Sequence, residues 1–284
     1  MKTLHKKALS AAAVALLTGL ACSSGFAADT PTDPEDAGSP IAANVSVVSD
    51  YRYRGISQSN LKPAIQGGFD YAHESGFYIG NWNSSISWNG DQNPGVTSPI
   101  EMDFYGGFKK EFLGEGFASD FGVLQYVYPS RGAYTYQTTA GTQVNPNTTE
   151  LYAAQNFTYG PVTGFVKFSY AVSPIFGNPG SSGSYYPDLT VNYDTGVWGL
   201  SINAHVGYQY ISGQKVVAGT PTLNYTDFKL GLTKDFGGGL SLAAAYIGTD
   251  AQKSGSTYAY QGPTSQGSKN LAGSTGVVTL TKTF

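Results

Sequence analysis

From about residue 44 onward, apolar and polar side chains exchange at every second position, the period that sends them to opposite faces of a strand. Twelve alternating runs are predicted, near 44–55, 62–73, 77–88, 100–112, 117–128, 149–159, 162–173, 184–194, 199–211, 224–236, 240–250 and 274–284. Most are longer than the roughly 5–6 residues of an ordinary globular strand and match the roughly 9–11 that a tilted strand needs to cross a bilayer. In the fourth run Ile100, Met102, Phe104 and Phe108 share one face, against Glu101, Asp103, Tyr105, Lys109 and Glu111 on the other. The seventh sets Val162, Val166, Phe168, Tyr170 and Val172 against Thr163, Lys167 and Ser169, and the tenth sets Phe228, Leu230, Leu232 and Phe236 against Asp227, Lys229 and Asp235. With the apolar face outward, Lys110, Lys234 and Lys282 fall near strand ends, where a lysine can snorkel.

The connections repeat an asymmetry. Tight turns are expected at 73–76, 113–116, 159–161, 194–199 and 237–239. The links between them are mostly longer and polar, around 89–99, 129–148, 174–183, 212–223 and 251–273, with the first, near 56–61, a short exception. Short turns at one end and long loops at the other characterise outer-membrane barrels. The expected fold class is therefore all-β: a transmembrane antiparallel β-barrel of about 12 strands, with short periplasmic turns and mostly longer extracellular loops.

Composition strengthens that picture. There are 37 Gly, 21 Tyr and 15 Phe, and charged residues make up only 12 %, about half the share usual in soluble domains. Lys2, Lys6 and Lys7 precede an apolar stretch at 8–21 and a small-residue site after Ala27, which reads as a secretory signal. The expected organisation is a signal peptide at 1–27, a flexible acidic and Pro-rich lead-in at 28–43, and the barrel at 44–284. The only cysteine, Cys22, falls in the leader, so the mature chain has no thiol or disulfide chemistry. Losing the three leader lysines takes the net charge from −3 to −6, which gives no basic footprint for nucleic acid.

The candidate chemistry is lumenal charge. In "SDYRYRGISQS" (49–59), a strand would put Asp50, Arg52 and Arg54 on the inner face and Tyr51 and Tyr53 against lipid or in its aromatic girdle. The expected lumen and selectivity set is Asp50, Arg52, Arg54, Asp70, Glu101, Asp103, Lys109, Asp120, Glu150, Lys167, Asp188, Asp227 and Lys229. Two readings of these charges stay open: an ion-pair network that stiffens the wall, and a constriction that selects solutes. Counted with Glu111 and Asp235, acids outnumber bases on the inward face, which predicts weak cation preference. No residue set is expected to be catalytic. Glu101 and Asp103 resemble a glycosidase pair but are ordinary in a wet lumen. His205 is expected to face the lumen, away from the bilayer where a lipid hydrolase would place its histidine, and His73 falls by a turn. No metal-ligand spacing and no cofactor motif are present, and Gly237–Gly239 is a hairpin turn rather than a phosphate loop. The final run ends "VVTLTKTF", and Phe284 is the expected signal to the assembly machinery.

The run Ser49-Asp-Tyr-Arg-x-Arg-Gly-x-Ser-Gln58, with Pro63–Gly67, Phe69–Tyr71 and Gly76-Phe77-Tyr78-x-Gly80-x-Trp82, resembles the start of the TorF-type porins of Gram-negative outer membranes. The resemblance spans the mature barrel, is strongest over 49–84, and implies a pore without an established substrate. The expected function is passive diffusion of small hydrophilic solutes or ions. The alternatives are a closed structural or adhesive barrel that binds a partner through its loops, and an outer-membrane lipid hydrolase. Expected partners are outer-membrane lipid and lipopolysaccharide, the barrel-assembly machinery, periplasmic chaperones and the solutes themselves.

Overall fold

The computed structural model describes residues 40–284 apart from 94, 135–136, 139–140, 143, 215–217 and 265–266. The expected signal peptide, and all but the end of the lead-in, lie outside the described residues.

Twelve strands form the wall: β1 (Ile41–Val48), β2 (Ala64–Ala72), β3 (Phe77–Ser85), β4 (Ile100–Glu111), β5 (Phe117–Val127), β6 (Thr148–Tyr159), β7 (Val162–Ala171), β8 (Tyr185–Asp194), β9 (Leu200–Gln209), β10 (Tyr225–Asp235), β11 (Leu240–Thr249) and β12 (Thr275–Thr283). Each pairs antiparallel with its sequence neighbours, and β1 closes the ring on β12. At the seam Val45 opposes Gly67 on one side and Lys282 on the other. Closure satisfies every ladder and leaves no edge strand. A short helix, α1 (Trp88–Gln92), and four two-stranded hairpins sit in the connections among the described residues.

The outer surface explains the alternation. Ile65 on β2, Phe77 on β3 and Leu230 on β10 are 65 %, 63 % and 61 % exposed, and comparable apolar side chains ring the barrel. A soluble protein rarely bares more than a few hundred Å² of continuous apolar surface; in a bilayer this face is the solvated one. The fold is of the transmembrane barrel type. Lys234 and Lys282 reach the carbonyls of Trp198 and Gly238 at the turn end, so their charge stays at the rim.

The strand glycines have a packing role. Tyr78 lies opposite Gly107, Tyr105 opposite Gly80 and Tyr152 opposite Gly122. A Cβ at any of these three glycines would overlap the facing tyrosine. Gly207 lies under the Tyr186 ring in the same way, offset by two positions in register. Glycine lets inward tyrosines lie flat against the neighbouring strand.

Only the first strand departs markedly from its predicted bounds. It was expected over 44–55 and ends at Val48. The chain from 49 to 63 leaves the wall and turns into the barrel.

Candidate functional site

This first connection, expected as a short loop near 56–61, is the centre of the site. Arg52–Tyr53 and Ile56–Ser57 pair as a small hairpin, with Arg54 and Gly55 at its tip at φ +46° and +78°. Positive φ at both central residues is the geometry of a tight two-residue hairpin turn. It suits Gly55, and a Cβ there would also overlap Asp227 and Thr249 on the wall. It is unusual for an arginine. The contacts of the Arg54 side chain account for its place. Its Nη2 lies 2.7 Å from Glu150 on β6, its Nη1 donates to Gln209 on β9 at 2.6 Å, and its guanidinium sits 4.1 Å from the Tyr186 ring centre on β8. In the strand order β6 to β9 stand across the ring from β1, so the hairpin spans the lumen.

The rest of the hairpin is anchored just as firmly. The Arg52 Nε meets Asp50 at 2.6 Å, while its Nη1 donates to the carbonyls of Gly55, Leu271 and Gly273 at 2.9, 3.0 and 2.9 Å. Ser57 donates to Asp50 at 2.6 Å. Tyr51 donates to one oxygen of Glu101 on β4, and Tyr128 donates to the other at 2.5 Å. The hydroxyls of Tyr53 and Tyr126 meet at 2.8 Å, and Phe176 packs edge-on against both rings. Burial opposes the charge on Arg54, but the adjacent Glu150 carboxylate together with Tyr53, Tyr126 and Tyr186 offsets it and holds the guanidinium well above its ordinary pKa. Burial likewise pushes the Tyr53 hydroxyl up, so it stays protonated.

Asp50, Arg52 and Arg54 thus lie inside the barrel. Tyr51 and Tyr53 are a correction: they do not face lipid and are 1 % and 8 % exposed in the interior. Two-residue alternation holds only while the chain is part of the wall. Once it folds inward both faces are surrounded, and tyrosine is suited to such a place because its ring packs while its hydroxyl satisfies a buried carboxylate.

Tyrosine–carboxylate pairs recur around the wall. Tyr105 donates to Asp70 at 2.5 Å. Tyr78 donates to Asp120 at 2.7 Å and touches the Tyr152 hydroxyl. Tyr186 donates to Asp227 at 2.7 Å, and His205 Nε2 lies 2.9 Å from the second oxygen of the same carboxylate. Lys167 sits 3.7 Å from Asp188. Asp103 is buried on the inner face of β4, Lys109 opposes Asp120, and Lys229 opposes His205. Glu111 and Asp235, also expected inside, instead cap the turns: each accepts a backbone N–H, from Gly116 at 2.9 Å and Gly237 at 2.7 Å. Of the inner tyrosines, Tyr105 was expected on that face, while Tyr78, Tyr152 and Tyr186 were missed. Their signal was parity, since Tyr105 follows Asp103 by two, Tyr152 follows Glu150 by two, and Tyr186 precedes Asp188 by two.

His205 meets Tyr186, Thr190 and Asp227, all on the inner face. No serine is among them, and the group faces away from the bilayer. Among the described residues no group of three or more His, Cys, Asp or Glu is placed to hold a metal ion.

On the loop side of the hairpin lies a cavity of about 540 Å³. Tyr53, Ile56 and Gln58 supply its floor, and the later loops contribute its sides. In the described part of the loop at 129–148, Tyr134 accepts from Asn89 of α1 at 3.1 Å and Arg131 pairs with Thr97, so that part packs on the connection between β3 and β4.

A search of curated proteins finds no match to this chain. Among solved structures, the KdgM porin aligns with a TM-score of 0.48 at 7 % identity, over 86 % of this chain and 98 % of that one. The KdgM porin in complex with disordered oligogalacturonate gives the same values, 0.48, 7 %, 86 % and 98 %. Pseudomonas aeruginosa OprD aligns with a TM-score of 0.39 at 11 % identity, over 86 % of this chain and 66 % of that one. The family model described as "Bacterial protein of unknown function (Gcw_chp)" matches residues 33–284, and the chain belongs to that family.

Proposed function

We propose that the protein is a porin-like channel of a Gram-negative outer membrane. Small hydrophilic solutes or ions diffuse through it passively, with weak cation preference, and the 52–57 hairpin sets the narrowest point. One observation carries this reading: a charged hairpin spans the polar lumen of a barrel whose outer skin is apolar. Filtering here is electrostatic and steric, with no turnover and no cofactor. A twelve-stranded barrel lies between side-chain-filled eight-stranded barrels and open sixteen-stranded porins, so a hairpin across it leaves room for small solutes only. Acids on the inner wall (Asp70, Glu101, Asp103, Asp120, Asp188 and Asp227) exceed the lysines (Lys109, Lys167 and Lys229), and this excess supports the cation preference.

The same proposal includes export by a signal cleaved after Ala27, delivery by periplasmic chaperones and insertion by the assembly machinery through Phe284. It also includes contact of the apolar belt with outer-membrane lipid and lipopolysaccharide, and kinship with the TorF-type porins. The test is single-channel recording of the refolded mature chain in a planar bilayer under a salt gradient. Discrete steps with a reversal potential on the cation side are expected.

A second reading has its own support. Asp120, Glu101 and Asp103 are 0 %, 1 % and 1 % exposed, as in a filled interior. A closed barrel that binds a partner through its loops would fold, show heat-modifiable migration and give no conductance steps.

A further inference from the structure

The cavity at the loop end differs in chemistry from the charged lumen beneath it. Among the described residues its lining contains no lysine, arginine or histidine, and the carboxylate there is Asp91. The side chains that dominate it are aromatic rings and carboxamides. The rings fall into two groups. Trp88 and Tyr128 stack edge-on at 5.2 Å, with Phe176 and Tyr53 beside them. Tyr225 and Tyr260 pack edge-on at 5.1 Å. Trp88 and Tyr128 belong to the β3–β5 part of the wall, whereas Tyr225 and Tyr260 belong to the β10–β12 part, and these parts face each other across the ring. Between them Gln58, Gln92, Asn178 and Gln214 line the space.

This combination selects by chemistry. Aromatic faces on opposite sides offer platforms for the C–H faces of a flat, ring-shaped ligand, and carboxamides donate to and accept from hydroxyls. Among the described lining residues an anionic ligand would find no guanidinium or ammonium to pair with. A cation would find a single carboxylate, itself already accepting from Ser87 at 2.8 Å. Arg54, in the hairpin beneath, is not part of the lining and is committed to Glu150 and Gln209. The volume of about 540 Å³ falls within the roughly 300–1,000 Å³ of small-molecule sites.

We infer that this cavity is a binding site for an uncharged saccharide, held between the Trp88–Tyr128 and Tyr225–Tyr260 ring groups directly over the hairpin that crosses the lumen. The inference extends the channel reading, because it makes the cavity the station where a solute pauses before the constriction. Binding and conduction are nevertheless separate measurements, so either can fail alone.

The experiment uses the refolded chain in detergent micelles. Titrations by tryptophan fluorescence and by calorimetry use maltotriose, cellotriose and raffinose as neutral probes and trigalacturonate as the acidic one. Saturable binding of at least one neutral probe is expected, with trigalacturonate much weaker. Tyr260→Ala and Trp88→Phe should each weaken that binding by about tenfold while leaving heat-modifiable migration intact. Calorimetry reports on the Trp88→Phe variant independently of its lost fluorophore. If Trp88→Phe perturbs folding, Tyr260→Phe serves as a milder second variant, expected to keep most of the affinity because the ring remains. No binding by all three neutral sugars to a folded barrel would overturn the inference, as would trigalacturonate binding as tightly as they do. A protein that binds a neutral sugar but gives no conductance steps would uphold the site and remove the channel.

Discussion

Arg54 and Glu150 meet 2.7 Å apart, although one stands at the tip of a hairpin that leaves β1 and the other on a strand across the barrel. The pair fixes the far end of that hairpin. Arg54→Ala would leave Glu150 buried without its cation, and breaking such a pair costs about 3–5 kcal/mol. The expected result is a lower unfolding temperature together with a larger single-channel conductance, since the tip loses its anchor. Arg54→Lys keeps the charge but cannot serve Glu150 and Gln209 together through a planar fork, so it should fall between the two. A folded Arg54→Ala barrel with unchanged conductance would show that the hairpin does not limit the pore.

The facing of glycine and tyrosine gives a second prediction. At Gly80 an added methyl would overlap the Tyr105 ring and the Asp70 carboxylate that Tyr105 serves. Gly80→Ala should destabilise the barrel by about 1–3 kcal/mol, the usual range for overpacking. The clash is with side chains rather than backbone, so combining Gly80→Ala with Tyr105→Leu should be strongly non-additive. Urea unfolding of the two single variants and the double variant measures this. Simple additivity would mean that the glycine serves some other need.

A third concerns the Tyr186 hydroxyl, which donates to Asp227 and also meets His205. Tyr186→Phe leaves two buried polar groups short of a partner and should cost about 1–3 kcal/mol. Tyr208, on the outward face of β9, provides the control. Tyr208→Phe should change stability by less than about 0.5 kcal/mol. Equal effects at both positions would argue against a lumenal hydrogen-bond network.

The strand wall was legible because each strand repeats one instruction. Phe228, Leu230 and Leu232 point one way and Asp227 and Lys229 the other, and nothing in the tertiary structure overrides a two-residue period that has an apolar outer skin on one side and a polar barrel interior on the other. The hairpin was not legible for the complementary reason. "SDYRYRG" continues the alternation of β1, and what ends the strand is not a local break in pattern but distant partners: Glu101, Glu150 and Gln209 draw Tyr51 and Arg54 inward. Gly55 was the one local hint, as a residue able to turn the chain back on itself. The mouth cavity was beyond the sequence altogether, since it is assembled from loops whose mutual positions only the closed ring defines.

Asp103 and Asp120 test whether the acidic excess reaches the permeating ion. Both lie on the inner face, Asp120 opposite Lys109 on β4 and receiving the Tyr78 hydroxyl, Asp103 on β4 itself. In a narrow, partly desolvated lumen a fixed charge acts with much less screening than at a surface, so removing it should be felt by an ion that passes nearby. Asp103→Asn and Asp120→Asn preserve shape, and the second leaves an acceptor for the Tyr78 hydroxyl. Each should move the reversal potential under a salt gradient toward the anion side, and the pair should move it further. The shift should shrink as the ionic strength of both compartments is raised. Charge reversal to lysine should carry it past neutrality if the variants fold. An unchanged reversal potential in folded, conducting double variants would mean that ions do not sample these carboxylates, and that they serve the wall alone.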